Sequence, residues 1–321
     1  MSTATAAEPI RIRNYQPGDE PAQVEIYNVA TQDLPGFKAA TVEEVIRRFR
    51  ATDFDPQTKL YAEQAGEIVG YVSFSQNGRV SVPWCRPDAV AARTPLMDAA
   101  IAAMKLRGLK QAWAAYHGDW DGVRWLLESF GFRVVREIVN FVAPVGQLPR
   151  DPMSPPFRIE ALNRDDVQEV YRLAPAAFAV ESAADLAVAW FDGPYFSSEA
   201  VFSVRDATNS SIAGVGIAVT NPKYADATKI DAAMPCFRLG ALRTESERTK
   251  RVNGLFSYVA RPGPDNHHLA RLLISEACSR FELAGLAHVA AQCPSDRELE
   301  LAFYRSCFQV QKSFPVFVRE L

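Results

Sequence analysis

"VARPGPDNHHLARLL", residues 259–273, is the stretch that decides the fold of this chain. It begins as the end of an apolar strand, turns through Pro262, Gly263, Pro264, Asp265 and Asn266, and enters an amphipathic helix at Leu269. A strand that opens onto a helix N-terminus through a tight loop is a common way to build an anion site. The first helical turn carries unpaired N–H groups and the positive end of the macrodipole. Two readings follow, a phosphate cradle or a turn.

The same strand, loop and helix occur earlier in the chain. "RVSVPWCRPDA" (79–89) and "GLFSYVARPG" (254–263) both end in Arg-Pro. Each is followed by an Ala/Leu-rich helical pattern that stops at a glycine, Gly108 or Gly285, as a C-cap should. Working outward, the match continues in order. "IRIRNYQPGDEPAQVEIYNVA" (10–30) and "FRIEALNRDDVQEVYRLAPAAF" (157–178) each read as an alternating strand, a turn carrying Asp19 or Asp165, and a helix. Two hairpins follow, with turns at Gly66 and around Asn209, and with Gly70 and Gly214 in their returning strands. Strands "LKQAWAAYH" and "LAHVAAQC", helices "DGVRWLLESFGF" and "ELELAFYRSCFQ", and closing strands "EIVNFVAPV" and "SFPVFVREL" complete each half.

The copies differ by one insertion. Pro87 and Pro262 lie 175 positions apart, whereas Gly70 and Gly214 lie 144 apart. About 30 extra residues therefore sit in the second copy, within 221–252. The reading is a frayed tail at 1–8, a first domain at 9–145, a Pro-rich linker at 146–156 and a second domain at 157–321. Each domain is expected to be α/β (α+β), with a mixed, mostly antiparallel sheet flanked by helices.

Composition narrows the functional classes. The chain of 321 residues is 48% hydrophobic and 23% charged, a globular composition long enough for two domains. A net charge of −3 gives no electrostatic reason to expect a nucleic-acid partner or an anionic membrane. No apolar run approaches the roughly 18 residues of a membrane span. "MSTATAAEPI" has neither the basic segment nor the apolar core of a signal peptide. The five cysteines are scattered without CxxC spacing and apart from the four histidines, which points to free thiols in a reducing cytoplasm and to no metal site.

In the order strand, helix, hairpin, strand, loop, helix, strand, helix, strand, the chain resembles the GCN5-related N-acetyltransferase (GNAT) family, twice over. The resemblance implies a tandem protein that binds acetyl-CoA as co-substrate and acetylates an amine of a small molecule or peptide. In that family a Q/R-x-x-G-x-G/A loop holds the pyrophosphate through main-chain N–H groups. Laid on the second copy, the motif falls on Asp265 to Ala270, and only Ala270 agrees. In the first copy it falls in "RPDAVAARTPLMD", which has no glycine. The resemblance therefore assigns the coenzyme mainly to the second copy, through Val259, Ala260, Arg261, Asn266, His267, His268, Leu269, Ala270 and Arg271, with a left-handed conformation open to Asn266.

The family's late helix often carries a tyrosine that protonates the leaving thiolate. Tyr304 stands there in the second copy, and Leu127 in the first. An N–H near Val259 would take the oxyanion role. The family's strand carboxylate has no counterpart in "NGLFSYVA", so the base is sought at Glu245, Glu247, a loop histidine or a water. His117 is better read as a loop residue, and the tryptophans as core or seam. The alternative is a non-catalytic ligand-binding or scaffold protein with both cradles decayed. The apolar closing strands could pair between copies or between chains, which keeps a homodimer open.

Overall fold

The computed structural model describes residues 8–37, 39–50, 54–178, 180, 182–192, 197, 199–220 and 254–321. The insertion at 221–252, with Glu245 and Glu247, lies outside the described residues. The chain divides into two compact units, Met1–Arg136 with Phe314–Leu321, and Glu137–Ser313.

The first unit runs β1 (Arg11–Asn14), α1 (Glu20–Thr31), α2 (Val42–Phe49), β2 (Lys59–Gln64), β3 (Glu67–Ser73), β4 (Trp84–Cys85), α3 (Arg93–Leu106), β5 (Gln111–Ala115) and α4 (Asp121–Ser129). Strands β1 to β4 form an antiparallel sheet in chain order. Ala65 and Gly66 both have positive φ, 54° and 81°, the backbone that a two-residue hairpin turn needs to match strand twist. Asp19 makes no side-chain cap at α1; its carboxylate takes a two-pronged bond from Arg13 instead.

The second unit repeats the plan with β7 (Phe157–Ala161), α5 (Val167–Leu173), α6 (Ala183–Ala187), β8 (Val201–Asp206), β9 (Ile212–Val219), β10 (Gly254–Ala260), α7 (Asn266–Leu283), β11 (His288–Pro294) and α8 (Glu298–Cys307). All eight residues of β9 are buried, because both faces of this sheet are covered. On one face Phe256, Tyr258 and Ala260 of β10 join Leu269, Leu272, Leu273 and Phe281 of α7. On the other, Leu255 joins Val167, Val170 and Leu186 of α5 and α6. Each fully buried leucine of α7 stabilises the unit by about 2 kcal/mol.

The closing strands are exchanged. β6 (Arg133–Pro144) follows α4 in the chain, yet Ile138 to Pro144 pair antiparallel with β11 in the second unit. β12 (Gln309–Glu320) follows α8, yet Val316 to Glu320 pair antiparallel with β5 in the first.

The hairpin glycines do the same work in both units. A Cβ at Gly70 would lie 2.6 Å from Cys85 Sγ, 3.0 Å from Leu96 Cδ1 and 3.0 Å from the Trp84 carbonyl. A Cβ at Gly214 would meet Ala260 Cβ at 3.4 Å, Leu273 Cδ1 at 3.1 Å and the Val259 carbonyl at 3.2 Å. The neighbours are the corresponding residues of the two copies. A Cβ at Gly70 would force Cys85 to shift, and one at Gly214 would press its neighbours by a few tenths of an ångström.

Candidate functional site

The site grows from the place where β10 leaves β11. These parallel strands pair at Gly254↔Val289 and Leu255↔Ala290 and no further, although β10 continues to Ala260 and β11 to Pro294. On its other edge β10 keeps full register with β9 up to Ala260↔Gly214. The Arg261 N–H donates to the Ala213 carbonyl at 2.8 Å. By antiparallel alternation the Val259 N–H therefore also turns toward β9, and the N–H groups of Tyr258 and Ala260 face the edge that β11 has left. The N–H groups that face the opening are thus those of the two neighbours of Val259, not its own.

Beyond Ala260 the loop is closed from within. Gly263 takes φ 141°, open to glycine alone, and its carbonyl accepts from the Asn266 N–H at 3.1 Å. Helix α7 begins at Asn266, three residues before the expected Leu269. Asn266 is helical rather than left-handed. It is 4% exposed, and its side-chain amide donates to the Arg261 carbonyl at 2.9 Å. Among the described residues the N–H groups of His267 and His268 find no main-chain acceptor, and they lie at the positive end of an 18-residue helix.

The cationic side chains near the loop are engaged. Arg261 is bound to Asp265, with Nη2 to Oδ2 at 2.5 Å, and it lies over the Phe157 ring at 5.8 Å. Arg271 is bound to Asp151 through two donors, which hold that carboxyl below its ordinary range. Leu269 and Ala270 are fully buried, main chain included, in the packing of α7 on the sheet. The donors this loop leaves unengaged are main-chain N–H groups rather than arginines.

Tyr304 lies on α8 and is 2% exposed. Its ring stacks on Phe141 at 5.4 Å and lies within 5.6 Å of the Tyr258 and Phe308 rings. Burial pushes its hydroxyl well above the ordinary range. Tyr258 went unread in the sequence, although its alternation with Phe256 and Ala260 marks it as facing the helices.

The first unit builds a different version of the opening. The Arg86 N–H donates to the Val69 carbonyl at 2.9 Å, so Cys85 faces the open edge, and two residues earlier stands Pro83, which has no N–H. Pro83 corresponds to Tyr258 under the Arg-Pro offset. Among the described residues this strand meets β5 at one parallel bridge, Arg79↔Trp113. The Val82 N–H is already taken by Tyr116 Oη at 2.7 Å. Between α3 and α4 lies a cleft of about 780 Å³, lined in part by Arg93, Thr94, Asp98, Ser129 and Arg319. Arg93 Nε is buried there without a hydrogen-bond partner. His117 packs on Phe314 at 5.4 Å and Trp120 at 6.3 Å, while Trp125 is 70% exposed rather than core.

Among the described residues no group of three or more His, Cys, Asp or Glu side chains is placed to hold a metal, and no helix is long and apolar enough to cross a membrane.

Strand order, parted central strands and duplication together define the GCN5-related N-acetyltransferase fold, built twice in tandem. The chain is similar to a GCN5-related N-acetyltransferase from Sphaerobacter thermophilus, at 16% identity over 97% of this chain and 95% of that one, with a TM-score of 0.64. It is similar to a tandem GNAT protein from the clavulanic acid biosynthesis pathway, at 10% identity over 97% and 98% of the two chains, with a TM-score of 0.54. A GCN5-related N-acetyltransferase from Kribbella flavida matches at 12% identity over 98% of this chain and 72% of that one, with a TM-score of 0.51. No protein-family model and no curated protein matches the chain.

Proposed function

We propose that the protein is an acetyl-CoA-dependent N-acetyltransferase acting on an amine of a small molecule or peptide, with the coenzyme bound mainly by the second unit. One observation carries this reading. The second unit offers two main-chain N–H groups, of Tyr258 and Ala260, at the edge where β10 and β11 part, and the first unit has proline at one of those positions. Donors fixed in a sheet are pre-aimed at a carbonyl oxygen that gains negative charge as an amine attacks. Holding the thioester against β10 supplies the proximity that makes this attack effectively unimolecular. The N–H groups of His267 and His268 and the dipole of α7 are the donors for a diphosphate.

A second reading places the coenzyme in the first unit, and the cleft with the unpartnered Arg93 favours it. Calorimetric titration with acetyl-CoA separates the two. His268→Glu, which sets a negative charge at the start of α7, is expected to weaken binding at least tenfold, and Arg93→Glu to change it little. The reverse pattern would transfer the coenzyme to the first unit. No binding by the unaltered protein would leave the non-catalytic alternative.

A further inference from the structure

We propose that the Tyr258 hydroxyl, rather than that of Tyr304, donates the proton to the thioester sulfur, a role that rests on the acetyltransferase reading above. Tyr258 is 5% exposed, and among the described residues its Oη has no hydrogen-bond partner. A phenol buried this way is costly, and an unmet buried donor in a folded protein calls for an explanation. Its place supplies one. The main chain of Tyr258 faces the edge that β11 has left, and its side chain lies on the helix face of the sheet, with ring centroids 5.1 Å from Phe303 and 5.6 Å from Tyr304. Burial pushes this hydroxyl well above its ordinary range, and the Glu300 carboxylate of α8 adds to the push. One residue thus places a main-chain donor at this edge and an unpartnered hydroxyl on the helix face beside it. Tyr258 and Tyr304 both pack on Phe256 and Phe303, and Tyr304 is enclosed further by Phe141 and Phe308.

In the reaction the amine nitrogen forms a bond to the carbonyl carbon, and the carbon–sulfur bond breaks with its electron pair going to sulfur. Sulfur takes the Tyr258 proton and leaves as the thiol. The amine releases one proton to water, and the phenolate regains one from water, so the exchange closes without an external acid.

The test uses Tyr258→Phe and Tyr304→Phe in the full chain, with CoA and desulfo-CoA as calorimetric probes beside turnover and thermal stability. Tyr258→Phe is expected to bind desulfo-CoA as the unaltered protein does and to lose about tenfold in its preference for CoA over desulfo-CoA. Its kcat should fall roughly a hundredfold or more at unchanged KM, with no loss of melting temperature, because only an unpartnered hydroxyl is removed. An unchanged CoA preference, or the same loss appearing in Tyr304→Phe instead, overturns the proposal and leaves the coenzyme reading intact. A less stable Tyr258→Phe chain would show that the hydroxyl has an internal partner and also overturn it. Binding of neither probe by the unaltered protein would remove the coenzyme reading and this proposal together.

Discussion

Arg271 and Asp151 meet fork to fork, Nε to Oδ2 at 2.7 Å and Nη2 to Oδ1 at 2.6 Å, across 120 positions of sequence. The Ser275 hydroxyl donates to the Asp151 carbonyl at 3.0 Å, which pins the segment after β6 against α7. The guanidinium assigned to the coenzyme by motif is therefore held by a carboxylate. Asp151→Asn should release it and strengthen CoA binding about threefold, read by calorimetry. Unchanged affinity would make Arg271 purely structural. Because the arginine is 38% exposed, the loss of stability should stay near 1 kcal/mol. The same pair sets an acid limit. Arg271 lowers the Asp151 carboxyl below its unfolded value of 3.8, so its contribution is complete above that value and fades as pH falls through the lower folded one. In acid titrations followed by circular dichroism, the Asn variant should lose less stability than the parent below about pH 4.

Lys59 carries a pH dependence of the same sense at the alkaline end of the range. Burial, joined by the charge of Arg48, lowers its amine to about 8, and its Nζ lies 5.9 Å from the centroid of the Phe49 ring. Below that value both folded and unfolded chains are protonated, and the fold bears the cost of a desolvated ammonium. Between about 8 and 10.5 the unfolded chain binds the extra proton, so stability rises with pH. Lys59→Met should be more stable than the parent at pH 7, by about 2 kcal/mol, and the difference should shrink toward pH 10. A constant difference across that range in urea titrations would show that packing, not charge, is responsible.

How far these features could be read from sequence depends on the range of the interaction behind them. The duplication was legible because Arg-Pro ends, hairpin glycines and helix C-caps are local signals, and Gly70 and Gly214 meet corresponding neighbours in the two units. The placement of the loop before α7 was legible for the same reason. Asn266 was misread because its side chain bonds the carbonyls of Ala260 and Arg261, a closure that competes with the left-handed turn its residue type suggests. The Arg271–Asp151 pair, the unpartnered Tyr258 hydroxyl and the strand exchange arise from contacts far apart in sequence. An alternating apolar strand states which face is buried, but not which neighbour it pairs with.

Gly216 tests the tightness of the second sheet. It pairs with Phe202 across β8 and β9, and a Cβ there would overlap the Phe202 ring, which is fully buried beneath the Arg280 guanidinium. Gly216→Ala should cost about 2 kcal/mol through displacement of that ring, read from denaturant midpoints. Gly122, whose added Cβ would meet nothing within 4 Å, is the control, and Gly122→Ala should be neutral or slightly stabilising. Equal effects at both sites would mean that β8 and β9 can yield where the packing argument says they cannot.

The exchange of closing strands makes a prediction that a simple two-bead reading of the chain would reverse. Phe317 lies four residues from the C-terminus, yet it pairs with Ala114 of β5 and is 1% exposed within the core of the first unit. Its neighbours there include Leu127 and Phe132, residues that precede it by nearly two hundred positions. Phe317→Ala removes a buried aromatic side chain and should cost about 4 kcal/mol. The loss should fall on the N-terminal half of the sequence. Hydrogen exchange followed by mass spectrometry should show faster exchange in 111–115 and in α3, with β8 to β10 little changed. Val139→Ala in β6 is the mirror image, because Val139 pairs with Cys293 and is buried in the core of the second unit. Its exchange should quicken along β11 while β2 and β3 hold. If each substitution instead loosened the half of the chain in which it is encoded, the pairing of β12 with β5 and of β6 with β11 would be wrong, and with it the division of the molecule at Arg136 and Ser313.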